Sequence, residues 1–277
     1  MKHLLCFGFG FSGEALAHKL DPIEWSVTGT SRSLEGVAAI NAQGFEGVLF
    51  SELQTIPISV THIVTSVPPG NDGDPVLLRF KDELMKRARS FEWVAYLSTT
   101  GVYGDRAGEW VDEDSALKPN TDRGQRRVDA EAAWQQIVDL PLHIFRLAGI
   151  YGPGRNAFES LKSGKAQRVI KQGQIFSRIH VEDIAGVLSA SINNPNPERI
   201  YNLADDEPCP PQDVIAYAAE LLGLPIPPDV PFEDAKLSAM AKSFYADSKR
   251  VSNVRIKNEL GYELKYPNYR VGLKSLL

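Results

Sequence analysis

The sequence predicts an α/β fold, a doubly wound parallel sheet with a smaller, mostly helical lobe toward the C-terminus. Three observations predict it. Short apolar runs that read as buried strands alternate with amphipathic helical stretches through the first half of the chain, the pattern of a parallel sheet covered on both faces. A glycine-rich turn, Gly8-x-Gly10-x-x-Gly13, joins the first run to the first helix. After Tyr151 the periodicity weakens, and glycine, proline and basic residues become frequent.

Each element follows from its residues. Residues 4–7 form an apolar strand, and 12–20 a helix with Ser12 near its N-cap and Asp21-Pro22 stopping it. Strands follow at 25–30, 47–50 and 62–67, with a helix over 34–43 between the first two. Pro68-Pro69-Gly70 stops the fourth strand. A long helix over about 74–90 aligns Val76, Phe80, Leu84 and Ala88 on one stripe. Residues 93–98 and 142–148 are the fifth and sixth strands, and Ala130, Ala133, Trp134 and Ile137 give the helix between them its buried face. Residues 175–192 read as a strand running into a helix with Val181, Ile184, Ala185 and Leu188 inward. Residues 199–204 read as a further strand, and Val214, Tyr217, Ala218 and Leu221 line a later helix. The expected division is a Rossmann-type nucleotide domain of residues 1–152 plus 180–205, and a substrate lobe of 153–179 plus 206–277.

Composition narrows the function classes. The 277 residues are 43% hydrophobic and 23% charged, ordinary for a soluble globular chain of one large or two smaller domains. Net charge is −5 and the pI about 5.6, so no nucleic-acid footprint shows, and anionic ligands must be met by local Arg or Lys. Two cysteines, Cys6 and Cys209, make neither a disulfide framework nor a metal cluster; inert buried thiols in a reduced, cytoplasmic setting are expected. The five histidines include no H-E-x-x-H spacing, so no metal site is expected. The short, glycine-broken apolar start lacks a cleavage site, and no window approaches the roughly 20 apolar residues of a membrane span.

The glycine turn carries chemistry through its context, a strand before it and a helix after it. Gly8 allows the tight turn, Gly10 the close approach of a pyrophosphate, and Gly13 close packing of helix on strand. Phe11 and Ser12 open the helix whose free N–H groups and dipole favour an anion. A ligand-free turn is the alternative, and the strand–helix alternation argues against it. At the end of the second strand Ser31 stands where NAD sites carry an acid, and Arg32 follows. An Arg there pairs with a 2′-phosphate, which predicts NADP(H) over NAD(H); the alternative is a solvated surface Arg. Ser66, Val67 and Pro68, after the fourth strand, are expected to line the cofactor.

Five stretches, "GFGFSG", "LSTTGVYGD", "FRLAGIYGPGR", "RIHVEDIA" and "SKRVSNVRIKNELGYEL", together resemble the extended short-chain dehydrogenase/reductase superfamily of NAD(P)-dependent epimerases and dehydratases. The likeness spans nearly the whole chain and is nearest an atypical branch poor in the usual catalytic residues. It implies that Thr99, or Ser98 if the register slips by one, takes the place of the catalytic hydroxyl. The superfamily's Tyr-x-x-x-Lys falls, counting back from Glu131, on Arg123 and Arg127, so neither catalytic residue is present. Arg127 can keep a ribose-positioning role, but a guanidinium stays protonated and is no acid or base. Two arginines four apart on a helix repel unless an anion lies between them. That gives two readings: a site for a substrate carboxylate or phosphate, or a solvated face with Arg127 paired to Glu131. Tyr103 is the first alternative proton carrier, with Asp105 and Asp122 near it in sequence. By the same likeness Tyr151, Gly152 and Pro153 end the sixth strand near the nicotinamide. Arg155, Arg168 and Arg178 are candidates for a substrate diphosphate, whereas Lys162 and Lys165 read as solvated. His180 is expected to fix a helix start.

The resulting expectation is an NADP-dependent oxidoreductase or epimerase/dehydratase-type enzyme for a sugar-like or nucleotide-linked substrate. The alternative is a non-catalytic NADP(H)-binding sensor or regulator. Partners are a small molecule, not nucleic acid or membrane, and the likeness implies a possible homodimer through the helices flanking the sheet.

Overall fold

Hydrophobic alternation on the first strand decides how the layers form. Leu4 and Cys6 point to one side of the sheet and Leu5 and Phe7 to the other, all fully buried, so both faces need covering. The computed structural model describes residues 1–277, the side chain of Met240 excepted. The first half runs β1 (Lys2–Phe7), α1 (Phe11–Lys19), β2 (Trp25–Ser31), α2 (Leu34–Ala42), β3 (Glu46–Leu49), β4 (His62–Thr65), α3 (Pro75–Arg87), β5 (Trp93–Thr99), β6 (Trp110–Val111) and α4 (Asp122–Gln135). It continues through β7 (Leu142–Leu147), β8 (Gly149–Tyr151), α5 (Ala157–Lys162), β9 (Arg168–Ile170), β10 (Arg178–His180), α6 (Val181–Asn193) and β11 (Ile200–Leu203). Last come α7 (Pro211–Leu221), β12 (Asp229–Pro231), α8 (Ala239–Phe244), β13 (Arg250–Val251), α9 (Val254–Leu260) and α10 (Tyr269–Lys274).

Seven strands form one sheet in the order β11-β7-β5-β4-β1-β2-β3, and every neighbouring pair is parallel. The order reverses between β1 and β4, which is where doubly wound sheets open a crevice at their carboxyl edge. On one face α1 and α6 pack together over Leu4, Cys6, Val27, Val64 and Ala95. On the other, Val76, Phe80, Leu84 and Ala88 of the predicted stripe meet Leu5, Phe7, Ile63 and Val94. Burying a side chain such as Leu84 contributes about 2 kcal/mol.

Several boundaries differ from the sequence reading. Helix α1 starts at Phe11 with Gly10 as its N-cap, so Ser12 is a helical residue and caps nothing. Strand β4 ends at Thr65, leaving Ser66 and Val67 in the following loop. Tyr151 does not end the sixth sheet strand. That strand stops at Leu147, and Tyr151 closes β8, which pairs with β10 in a separate two-stranded ribbon. Two minor cores lie beyond the sheet, one around Phe158, Val214, Ala218 and Tyr269, the other around Val169, Ala235 and Tyr245. Val251 and Ile256 instead join the main core, and α9 packs on α6 and β11.

Candidate active-site cleft

The three glycines of the turn do three different things. Gly8 has φ +76°, a conformation that costs any residue with a Cβ. A Cβ on it would also lie 3.1 Å from Ser66 Oγ and 3.1 Å from Val67 Cγ2. Its N–H donates to Thr30 Oγ1 at 2.9 Å, and its carbonyl accepts from Ser66 Oγ at 2.7 Å. The loop is thus tied to β2 on one side and to the loop after β4 on the other. Gly10 is extended; a Cβ there would meet only Gly8 O, at 4.0 Å, so its outer side is open. A Cβ on Gly13 would sit 3.5 Å from Gly8 O and 4.0 Å from Cys6 Cβ, which marks close packing of helix on strand.

No side chain caps the first turn of α1, so its N–H groups face the crevice with the positive end of the helix dipole. Ser12 is buried and Phe11 half-buried beside them. At the end of β2, Ser31 Oγ accepts from Ser33 N at 3.3 Å. Arg32 is exposed, and among the described residues it has no ion pair. Glu46, on the neighbouring strand, accepts a hydrogen bond from the Thr28 hydroxyl at 2.6 Å. Open glycine and uncapped helix fit a nicotinamide dinucleotide. Val67 is half-buried and Pro68 exposed in the loop that boxes Gly8.

The far end of the same edge is closed by side chains. Arg146, on β7, makes an ion pair with Glu131 of α4 at 2.7 Å, both side chains 3% exposed. Its Nη1 donates to the Tyr103 hydroxyl at 2.9 Å, which donates to Asn202 Oδ1 at 2.7 Å. Ser98 Oγ donates to Glu131, and Glu113 Oε1 accepts from Asn202 N at 2.8 Å. Tyr103 is therefore no proton carrier for a ligand. It is fully buried, its hydroxyl is committed, and burial pushes its pKa up to about 12. Ser98 is likewise spent on Glu131. Because Glu131 belongs to Arg146, the Arg127–Glu131 pair of the alternative reading does not form. Arg127 is buried, its Nη1 donating to Tyr96 OH and to Leu97 O, each at 2.9 Å.

Thr99 remains available at the end of β5. It is half-buried, and its Oγ1 accepts from Gly101 N at 3.2 Å, which leaves its hydroxyl proton free to donate. Of the other proton candidates, Asp105 is engaged by Ser248 N at 2.8 Å and Ala107 N at 3.1 Å. Asp122 is exposed in the first turn of α4. Arg123 stacks over Phe244 at 5.9 Å and Arg155 over Phe11 at 5.9 Å. Desolvation, then the charges of Arg127, Arg155 and Arg126, hold the Arg123 pKa below the usual guanidinium value.

The remaining substrate candidates are tied into the lobe. Arg168 pairs with Asp229 at 2.5 Å. Arg178 Nη1 donates to Phe176 O at 3.1 Å and contacts Cys209 Sγ at 3.1 Å. Tyr151 is buried, its hydroxyl 3.5 Å from Asn268 O. His180 Nδ1 accepts from Glu182 N at 3.2 Å and so caps α6.

Arg146 is the main residue that the sequence did not flag, and with it the true partner of Glu131. An arginine inside the apolar run "LHIFRLA" was the available signal, since a charge in a buried strand requires a partner.

No family model matches the chain. A conserved protein of unknown function from Silicibacter pomeroyi has a solved structure with 55% identity and TM-score 0.96, covering 100% of this chain and 98% of that one. A solved protein from Methylobacillus flagellatus, provisionally classed as an NAD-dependent epimerase/dehydratase, has 26% identity and TM-score 0.76, covering 99% and 97%. Escherichia coli K12 protein YeeZ is 28% identical over 97% of each chain. A Streptomyces 3-diazoavenalumate denitrifying reductase is 26% identical over 59% of this chain and 58% of its own. Together with the sheet order and the glycine turn, these likenesses support the fold of the extended short-chain dehydrogenase/reductase superfamily.

Proposed function

We propose that this protein is an NADP(H)-dependent oxidoreductase that reduces a sugar-like or nucleotide-linked substrate. One observation carries the reading. Where the superfamily places its proton-carrying Tyr and its Lys, this cleft has Arg123 and Arg127, and the nearby Tyr103 and Ser98 are bound into a buried network. Gly10, the first turn of α1 and the Ser66–Pro68 loop would hold the pyrophosphate and ribose, Arg32 and Ser31 the 2′-phosphate. A nicotinamide bound there supplies hydride chemistry.

We read the reaction in the reductive direction. Hydride addition to a carbonyl must be completed by a proton, which a guanidinium cannot give, so solvent supplies it. The addition builds negative charge on the carbonyl oxygen, and fixed positive charge stabilises that oxygen. Thr99 is placed to donate a hydrogen bond to it. The reductase among the relatives supports the same direction, and the Methylobacillus protein supports a nicotinamide cofactor. We assign the substrate side of the cleft to residues 153–179 and 206–277, apart from the stretch around Val251 and Ile256 that joins the main core.

A non-catalytic sensor is the second reading, and the self-satisfied Tyr103–Arg146–Glu131 network favours it. NADPH deuterated at the nicotinamide C4, offered with keto-sugars and nucleotide-linked sugars, separates the two. Deuterium in a reduced product supports the enzyme. Tight NADPH binding with no label transfer across such a panel supports the sensor.

A further inference from the structure

We propose that the cleft between α4 and the loop after β8 holds an anionic group of the substrate, a carboxylate or a phosphate, between the guanidinium groups of Arg123 and Arg155. This rests on the reading of the cleft as the substrate site of an NADP(H) enzyme. Most arginine side chains of the chain are engaged, by carboxylates as in Arg146 with Glu131, Arg168 with Asp229 and Arg255 with Glu113 and Asp114, or by carbonyl oxygens as in Arg79, Arg106, Arg178 and Arg250. Arg123, Arg126, Arg127 and Arg155 form a group, the charges of the other three acting on Arg123. Among the described residues none of the four has a carboxylate within ion-pair distance.

Two of the four are spent on neutral partners. Arg127 Nη1 donates to Tyr96 OH and Leu97 O, and Arg126 Nη1 donates to Asn71 Oδ1 at 2.6 Å. They leave positive charge behind the cleft without offering their forks to it. Arg123 and Arg155 have no hydrogen-bonded partner here; each rests on a ring, Phe244 and Phe11 respectively, at 5.9 Å. Aromatic packing positions a guanidinium and leaves its N–H edge free. Gly152 brings the Arg155 loop onto the nucleotide turn, since a Cβ there would lie 3.1 Å from Phe11 Cζ. The pair left exposed with open N–H edges is thus Arg123 with Arg155, rather than Arg123 with Arg127. Like charges gathered without counter-ions repel, and a bound anion relieves that repulsion through paired, charge-assisted hydrogen bonds.

The same chemistry could serve the cofactor's own phosphates, so the test separates the two sources. Inorganic phosphate is titrated by calorimetry into nucleotide-free protein and into protein saturated with NADP⁺. NADPH affinity is measured in parallel for Arg123→Gln, Arg155→Gln, Arg123→Lys and the surface control Lys162→Gln. Phosphate is expected to bind the saturated protein at millimolar concentration and to weaken by about tenfold or more in either Gln variant. Arg123→Lys should restore part of the binding, Lys162→Gln should change nothing, and NADPH affinity should hold within about threefold. Phosphate binding that ignores the Gln substitutions, or is absent from the wild type, overturns the proposal. So does a parallel loss of NADPH affinity, which would assign the arginines to the cofactor. If the wild type binds no NADPH while phosphate binding still depends on Arg123 and Arg155, the anion site stands and the oxidoreductase reading falls.

Discussion

The two ends of the sheet's carboxyl edge satisfy their polar groups in different ways. Around β1, β2 and β4 the groups that face the crevice are left open: the N–H groups of an uncapped helix, a glycine with free space on its outer side, and an unpaired Arg32. Around β5, β7 and β11 the side chains satisfy one another, Ser98 to Glu131, Glu131 to Arg146, Arg146 to Tyr103 and Tyr103 to Asn202. An open polar end is tolerable only where water or a ligand completes it. A closed one contributes to the fold and offers a ligand little. The difference is why we propose binding at the glycine turn, with the exposed Arg123 and Arg155 beside it.

Breaking the closed end should have the largest effect. Glu131→Ala strands the Arg146 charge in the interior and is expected to cost about 3–5 kcal/mol in denaturant unfolding. A loss under about 1 kcal/mol would mean that the network is not what holds β5, β7 and α4 together. The open end is tested by Arg32→Ala, which should remove about 1.5–3 kcal/mol of NADPH affinity while leaving NADH unchanged. Equal losses for both nucleotides would place Arg32 on a group they share.

Asp205, just past β11, is the exception on the closed side. Its Oδ2 is buried without a partner, and burial pushes its pKa up to about 8. Between about pH 4 and pH 8 the folded chain keeps a proton that the unfolded chain has lost. Stability therefore falls as pH rises through that window, by up to about 1.4 kcal/mol per pH unit from this group. Asp205→Asn should flatten the slope of thermal stability over that window. An unchanged slope would show that the carboxyl already ionises at low pH. Tyr103→Phe should have the smallest effect. It deletes the hydroxyl's bonds to Arg146 and Asn202, costing about 1 kcal/mol of stability, and turnover should not change. A loss of turnover at full stability would return Tyr103 to the catalytic list.

The layered fold was legible because its strands and helices write their periods plainly: the Val76–Phe80–Leu84–Ala88 stripe and the apolar runs of β1, β4 and β5 needed no tertiary information. The glycine turn was legible for the same reason, since its meaning lies in adjacent residues. The short ribbons were not. The two-residue pairing of Arg250–Val251 with Trp110–Val111 and the three-residue pairing of Asp229–Pro231 with Arg168–Ile170 depend on partners far away in sequence. The same limit hid the fate of Glu131. Helical spacing offered Arg127 as its neighbour, but a bidentate partner on β7 prevailed. Arg155 was legible as a charge, and its effect on the Arg123 charge only in three dimensions.

The claim that the open end is built for NADP(H) is tested most directly by calorimetric titration of nucleotide-stripped protein with NADPH and, separately, with NADH. The account predicts saturable NADPH binding about tenfold or more tighter than NADH. Binding of neither nucleotide, or of NADH as tightly as NADPH, would contradict it.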